Sequence, residues 1–258
     1  MDRLTASDDR LTFVFPMWNE EAMIRRTVAA AREAGCRLVD AGQVGSFEIV
    51  LVDDASTDDT GKTADELADD DPRVVVVHHR TNRKLGGALK SGFAAATGDV
   101  VLYTDADLPC ELTEADKALR LLRLYEADLV TAYRFDRTAE GAQRAVYSYV
   151  YNHLVRWVLG VRVRDVNFAF KLIRRRVLDH VELVSEGSFI DAELMAKAHR
   201  LGFRYVQFGV DYIARTRGTS TLSSPAVIGK IVRELADLYP GIRRIRRLPS
   251  AVLDGEPA

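Results

Sequence analysis

Between Leu11 and Ala132 five short apolar runs alternate with longer stretches of helical pattern, and nothing else in the sequence restricts the fold as much. The runs are Leu11–Phe15, Phe47–Val52, Val74–Val77, Val100–Tyr103 and Asp128–Ala132. All are short and rich in β-branched or aromatic residues, as buried strands are. Between them, helices are expected from Asn19 to about Gly35, from Asp58 to about Asp69, from Gly86 to about Gly98 and from Glu111 to Tyr125. Asn19 and Asp58 suit N-caps, Gly35 suits a stop, and Leu112, Ala115, Leu119 and Leu122 fall at helical spacing. Strands joined through helices pair in parallel and are covered on both faces. The expected class is therefore α/β, a mostly parallel twisted sheet flanked by helices. The second half is less regular. A long aromatic-rich helix is expected over Ala142–Gly160, a strand over Asn167–Ile173, a helix over Ile190–Gly202, a strand over Phe203–Val210 and a last helix over Pro225–Tyr239.

No Pro/Gly/Ser-rich linker breaks this pattern in the 258 residues, which argues for one domain over 11–240. A disordered N-terminus (1–10) and a basic, then flexible, tail (241–258) are expected around it. The formal net charge of -2 argues against a nucleic-acid partner. Cys36 and Cys110 form neither a zinc pattern nor a disulfide framework. No apolar window is long enough to span a membrane, and residues 1–10 lack the apolar core of a signal peptide. The expected compartment is the cytoplasm, with peripheral membrane association open. Oligomeric state is not legible.

Several catalytic signatures are missing. Gly61-Lys62-Thr63 lacks the earlier glycine of a phosphate loop, since Ser56 stands there. No Gly-x-Gly-x-x-Gly follows a strand, no His-Glu-x-x-His occurs, and no Gly-x-Ser-x-Gly elbow exists. What remains is four polar clusters, each after an apolar run: Pro16–Glu21, Val52–Asp58, Asn82–Gly92 and Asp105-Ala106-Asp107. Each alone is also what a turn or a helix cap looks like. In a parallel sheet all four would lie at carboxyl ends of strands and converge on one cleft, where open α/β sheets bind ligands. Asp105 and Asp107 are two residues apart, so in extended chain they point to one side. Two hard oxygen ligands there suit a divalent cation that itself carries phosphates.

These clusters resemble the family 2 inverting glycosyltransferases of the GT-A nucleotide-sugar fold, and within them the dolichol-phosphate mannose or glucose synthase-like branch. Pro16, Asn19 and Glu20 match that family's Pro-x-x-Asn-Glu, and Val52, Asp53, Asp54, Ser56 and Asp58 its Val-Asp-Asp-Gly-Ser-x-Asp, with Ala55 for glycine. Asn82, Gly86 and Ala88 match its Asn-x-Gly-x-Gly-x-Ala, with Lys84 for the first glycine, and Asp105 and Asp107 match its Asp-x-Asp. Asp165–Lys171 looks like Asp-x-x-x-Gly-Phe-Lys/Arg with Ala169 for glycine, and Phe189–Leu194 like the late acidic motif. Tyr212, Arg215, Gly218 and Ser220 match Tyr-x-x-Arg-x-x-Gly-x-Ser. The likeness covers about residues 11–240.

The resemblance implies an enzyme that takes a sugar from a nucleotide-diphosphate donor, GDP- or UDP-linked, with Mg²⁺ or Mn²⁺ held by Asp105 and Asp107. Pro16, Asn19, Glu20, Asp53, Asp54, Lys90 and Asp105 would bind the donor. Asp191 is the implied base for a hydroxyl acceptor, with Asp107 beside it in the catalytic set. Arg215, Arg217 and Ser220 would hold a phosphate acceptor, since guanidinium forks suit phosphate oxygens. Asp191 could equally cap its helix, and the two arginines could belong to a solvated loop. The branch points to a polyprenyl phosphate acceptor. An apolar side of Ala142–Gly160 (Val146, Tyr149, Val150, Leu154, Trp157, Val158) and the mixed Arg/Ile/Leu segment Ile242–Leu248 agree with work at an anionic membrane surface. A soluble hydroxyl acceptor and a non-catalytic sugar-nucleotide-binding module stay open. A nucleotidyltransferase would need a glycine-rich, lysine-bearing loop after the first strand, where Pro16-Met17-Trp18-Asn19 stands.

Overall fold

A computed structural model describes residues 7–136, 142–213 and 225–253. Seven strands form one sheet: β1 (Arg10–Met17), β2 (Ser46–Asp53), β3 (Val74–His78), β4 (Val100–Thr104), β5 (Leu129–Arg134), β6 (Phe170–Arg174) and β7 (Tyr205–Val210), in the order β3-β2-β1-β4-β6-β5-β7. The pairs β2/β3, β1/β2, β1/β4 and β5/β7 are parallel. β6 runs antiparallel to both β4 and β5, so the fifth strand does not lie beside the fourth as plain alternation predicts. The long connection through α5 (Ala142–Leu159) lets the chain return between them.

The strand period of two sorts the apolar residues onto two faces. Leu11, Phe13 and Phe15 of β1 and Ile49 and Leu51 of β2 pack under α1 (Ile24–Asp40), α2 (Thr60–Asp70) and α4 (Glu114–Leu124). Val14, Val50, Val52, Val101 and Tyr103 pack on the other face under α3 (Lys84–Ala95), α5, α6 (Arg175–His180), α7 (Ile190–Leu201) and α8 (Pro225–Arg244). Three layers result, with every central strand buried on both sides.

Four local expectations are corrected. Asn19 does not cap α1, which starts at Ile24; the intervening residues form a loop tied to the end of β2. Gly35 does not stop α1 but lies inside it, where a Cβ would fall 2.6 Å from the Phe47 ring. Glycine is there for close helix–sheet approach rather than for termination. Residues 7–10 are ordered: Arg10 opens β1, and Gly45 N–H donates to the Asp9 carbonyl at 2.9 Å. The segment after α8 is folded to Leu253. Ile245, Leu248 and Leu253 pack on the α7 side of the core, Leu248 N–H donates to the Leu201 carbonyl at 2.9 Å, and Ser250–Leu253 forms a short helix, α9. Ile245, Leu248 and Leu253 are thus partly buried against the protein.

A carboxylate outside the cleft locks the back of the sheet. Asp71 follows α2 and accepts from Arg32 of α1 at 2.6 Å and from Arg73 Nε at 2.9 Å. Arg73 chiefly, against the effect of burial, then Arg32, bring its pKa down from 3.8 to about 2. A carboxylate with a depressed folded pKa gives stability above its unfolded pKa and loses it as pH falls through the folded one. Asp71→Asn should therefore lower the melting temperature at pH 7 and flatten the fall of stability between about pH 4 and pH 2. Thermal scans across that range check it, and parallel curves for both proteins would refute it.

Candidate active site

The carboxyl ends of β1, β2 and β4 meet at one edge of the sheet, and the loops leaving them are tied together. Asp54 N–H donates to the Met17 carbonyl at 2.9 Å. Asn19 N–H donates to Ser56 Oγ at 3.0 Å, Thr57 N–H to Asn19 Oδ1 at 2.8 Å, and Glu20 N–H to Thr60 Oγ1 at 2.8 Å. Asn19 takes φ +58°, a left-handed conformation that asparagine tolerates better than most residues. Pro16 sits in β1 opposite Val52.

The two aspartates at the end of β2 hold different neighbours. Asp53 Oδ1 accepts Ser56 N–H at 3.0 Å, and its Oδ2 lies 3.1 Å from His78 Nδ1. The other ring nitrogen of His78 lies 2.8 Å from Asp65. Asp65 first, with burial opposing, and then Asp53 raise the His78 pKa above the usual imidazole range. A Cβ on Gly61 would fall 2.7 Å from Asp53 Oδ2, so this glycine makes room for the carboxylate. Asp54 is 3% exposed. Its Oδ1 accepts Arg83 N–H at 2.7 Å and meets His79 Nδ1 at 2.6 Å, while His79 Nε2 lies 2.8 Å from Ser91 Oγ on α3. Asp54 thereby fixes the start of α3 against the end of β2. Its Oδ2 makes no hydrogen bond among the described residues.

Lys90 sits away from this clamp. It reaches the Val184 carbonyl at 3.1 Å and Glu186 at 3.2 Å, and Arg83 reaches the same Glu186 oxygen at 3.1 Å. Gly86 N–H donates to the Glu186 carbonyl, and a Cβ on Gly86 would fall 2.3 Å from the Ser185 carbonyl oxygen. Lys90 and Gly86 thus seat the α6–α7 loop on α3.

The Asp105–Asp107 turn is the most constrained part of the edge. Leu108 N–H donates to the Asp105 carbonyl at 3.1 Å, and Leu108 itself has φ +53°. A bulky residue costs about 1–2 kcal/mol in this region. Leu108 holds it because its side chain is buried in the core, and Thr27 of α1 donates to the Ala106 carbonyl at 2.5 Å. Among the described residues no group of three or more His, Cys, Asp or Glu could close around a metal ion. Two carboxylates on a fixed turn fit a cation that keeps its remaining positions for phosphate oxygens and water, as Mg²⁺ does.

Behind this turn lies a buried ionic cluster. Asp191, at the start of α7, is 3% exposed, and its Oδ1 sits 2.6 Å from Nζ of Lys171 on β6. Lys171 is fully buried and also donates to the Phe168 carbonyl at 2.8 Å. Tyr103 of β4, the register partner of Lys171, donates its hydroxyl to the same Asp191 oxygen. Burial first, then the Asp191 and Asp105 charges, push the Tyr103 hydroxyl well above its usual range. Arg215, Arg217 and Ser220 lie outside the described residues. Sequence reasoning missed His78, His79 and Glu186. No spacing rule marks two histidines at the end of a strand, and Glu186 reaches the site only through the tertiary seat of its loop.

The sequence profile of Glycosyl transferase family 2 matches residues 12–182. The chain belongs to this family. It is a glycosyltransferase, and its relatives put it in the dolichol-phosphate mannose synthase-like branch. Glycosyltransferase AglD of Haloferax volcanii is 33% identical over 213 residues, which cover 81% of this chain and 34% of AglD, so the chain spans about a third of that relative. Polyprenol monophosphomannose synthase of Mycolicibacterium smegmatis is 32% identical, covering 83% of this chain and 81% of that one. Mannosyltransferase PcManGT from Pyrobaculum calidifontis, solved in complex with GDP-Man and Mn²⁺, superposes with a TM-score of 0.64 at 19% identity, covering 99% of this chain and 70% of that one. The fold is GT-A.

Two positions where the family's motifs carry glycine keep the glycine conformation here without it. Ala55 has φ +59° and Lys84 φ +60°. Ala169, the third such position, is not in that region. Ala55→Gly and Lys84→Gly should each relieve backbone strain and raise stability by about 0.5–1 kcal/mol, after the added freedom of the unfolded chain is counted. Ala31→Gly, inside α1, should lower it by at least as much. Urea unfolding checks this, and a loss of stability in Ala55→Gly would contradict the assigned conformation.

Proposed function

We propose that this enzyme transfers a sugar from a nucleotide-diphosphate donor to a polyprenyl phosphate, with inversion, using Mg²⁺ or Mn²⁺. One observation carries the choice of acceptor: the carboxylate expected to act as base is locked in a buried ion pair. If Asp191 took a proton, Lys171 would keep its charge with no counter-charge at a fully buried site. Breaking a buried pair costs about 3–5 kcal/mol. A hydroxyl acceptor needs such a base in the transition state. A phosphate acceptor is already anionic near neutral pH and needs none.

The remaining described residues take roles that agree with their geometry. The free Oδ2 of Asp54 accepts from the donor's ribose or base, and His79 and Arg83 keep that carboxylate oriented. Asp53, held by Ser56 and His78, shapes the wall of the same pocket, with Asn19 and Glu20 on the facing loop. Asp105 and Asp107 hold the divalent cation. When bound, it neutralises the charge that develops on the diphosphate as the glycosidic bond breaks. Lys90 acts at one remove, through the loop it seats. Arg215, Arg217 and Ser220, which lie outside the described residues, are assigned the acceptor phosphate from the family motif alone.

A bilayer surface would supply such an acceptor, and α5 offers a face for it. No described helix is long and apolar enough to cross a membrane. Leu154, Val155, Val158 and Leu159 turn toward the core, whereas Trp157 is 84% and Tyr149 62% exposed. The expected apolar side therefore splits between the core and solvent. Exposed aromatics beside Arg156 and Arg162 suit an anionic interface. This supports peripheral association on the inner face of the cytoplasmic membrane.

Two experiments test the reading. Titration of GDP and UDP with and without Mn²⁺ should show metal-dependent binding of one of them in the wild type and none in Asp107→Ala; equal affinity in all cases would exclude the donor site. Transfer from GDP-mannose and UDP-glucose to a polyprenyl phosphate in anionic vesicles should then be measured for acceptor variants. Asp191→Asn should lose stability by about 3–5 kcal/mol, and Asp191→Asn with Lys171→Met should regain both stability and turnover. A folded double variant slower by about 10²–10⁴-fold would restore Asp191 as a base and point to a hydroxyl acceptor. Trp157→Ala should reduce transfer from vesicles while leaving donor binding unchanged.

A further inference from the structure

The opposite edge of the sheet carries a second concavity, about one strand length from the donor cleft, or roughly 17 Å for five residues. It lies where β4, β5 and β7 begin and the antiparallel β6 ends. Its volume is about 830 Å³, within the range of ligand sites, and six arginines line it against three carboxylates. The segment after α8 forms one wall with Arg247, Ser250 and Leu253.

The carboxylates are already engaged. Asp128 accepts from Arg176 Nε at 2.6 Å and from Arg204 N–H at 2.7 Å. Glu126 pairs with Arg204 at 3.3 Å, and Asp99 accepts Arg10 N–H at 2.8 Å. Arg123 donates to Gln43 Oε1 at 2.6 Å and lies 3.7 Å from Asp9. Arg174, Arg175 and Arg247 are left with no carboxylate within 4.0 Å among the described residues. Arg175 gives its guanidinium to the carbonyls of Phe93, Ala96 and Gly98 and so closes the end of α3. Arg174 uses only Nε, toward the Ala127 carbonyl at 3.0 Å. Burial first, then the adjacent Arg176, push its pKa below the usual arginine range, against the weaker pull of Asp9 and Asp128. Arg247 makes no hydrogen bond among the described residues and lies across Gly202, where a Cβ would fall 2.8 Å from its Nε. Converging positive charges repel one another unless an anion sits between them.

We infer that this cavity binds a soluble polyanion bearing two linked phosphates, held chiefly by Arg174 and Arg247. Guanidinium forks match phosphate oxygens two at a time. With Asp9 on Arg123 and Asp99 counted among the carboxylates, two positive charges are left over, which calls for a ligand with two negative ones. The wall made by α9 makes the site concave, which suits a small soluble molecule better than a flat lipid surface. Ser250 adds a hydroxyl donor, and Leu253 an apolar wall for whatever the phosphates carry.

Inorganic pyrophosphate is the probe, titrated calorimetrically into the full chain with a chelator present and no divalent cation, so that the donor cleft is not engaged. Saturable binding is expected, unchanged in Asp107→Ala and weakened about tenfold or more in Arg247→Glu, the factor for a charged hydrogen bond. Arg243→Glu, at the end of α8 and outside the cavity, should bind like the wild type. Melting curves verify that Arg247→Glu is folded; should it not be, Ser250→Glu at an exposed position takes its place with the same expected loss. Absence of saturable binding, loss of binding in Asp107→Ala, or equal weakening by Arg243→Glu would each overturn the inference. Displacement of pyrophosphate by phosphatidylglycerol vesicles would overturn the soluble ligand in favour of a lipid headgroup.

Discussion

The ion pair between Lys171 and Asp191 joins the parts of the molecule that must not move relative to each other. Lys171 belongs to β6, the one strand that runs against the rest, and Asp191 opens α7 on the adjoining face. Tyr103 brings β4 into the same cluster two residues before Asp105. A strand inserted antiparallel between β4 and β5 has no βαβ crossover to fix its place. A buried charge pair has one arrangement that satisfies it, whereas apolar side chains have several of nearly equal energy. The pair therefore sets register at a place where hydrophobic packing alone would leave it loose. Its other consequence is chemical, because a carboxylate committed to holding a lysine is a poor acceptor for a substrate proton.

Four of the five described non-glycine residues with positive φ lie at this same edge of the sheet; the fifth, Glu126, precedes β5 at the opposite one. Asn19, Ala55 and Leu108 have positive φ in loops leaving the carboxyl ends of β1, β2 and β4, and Lys84 has it as the first residue of α3, after β3. Such positions persist only where the surroundings determine them more strongly than local preference does. At Leu108 the determinant is burial in the core; at Asn19 it is the bond to Thr57. At Lys84 it is Asn82, whose Oδ1 accepts the Lys84 N–H at 3.1 Å. The cleft is thus rigid before any ligand arrives, which lowers the ordering cost of binding.

The fold was legible because its strong signal is local. Val100–Tyr103 reads as a strand from composition alone, and the acidic turn after it needs only a parallel sheet to become a site. The same reasoning failed where a residue's role is tertiary. Gly35 looks like a helix stop in one dimension, and only the Phe47 ring shows why it is a contact. β6 has the composition of any buried strand, and direction is not written in composition. Lys90 sits in a motif that points to the donor, yet its amine is taken by Val184 and Glu186, nearly a hundred residues away in the chain. Asp191 sits in an acidic motif whose burial partner, Lys171, belongs to another motif with which no spacing rule connects it.

Net charge hides a separation that bears on the proposed reaction. The chain is nearly neutral, but carboxylates gather where β1, β2 and β4 end, and arginines where β4, β5 and β7 begin. In the proposed reaction two anions meet at the acidic edge, a diphosphate donor and a phosphate acceptor. Neither is drawn there by the field of Asp53, Asp54, Asp105 and Asp107, and each would repel the other. A divalent cation at Asp105 and Asp107 removes the repulsion for the donor only. The acceptor needs its own positive charge, and Arg215, a matched position of the family, with Arg217 two residues on, is proposed to supply it. Metal and arginines are then two halves of one requirement: each neutralises one reactant, and the acidic edge keeps either from binding strongly without its own counter-charge. A hydroxyl acceptor would impose no such second requirement, and the two arginines of the Tyr212–Ser220 motif would have no electrostatic task.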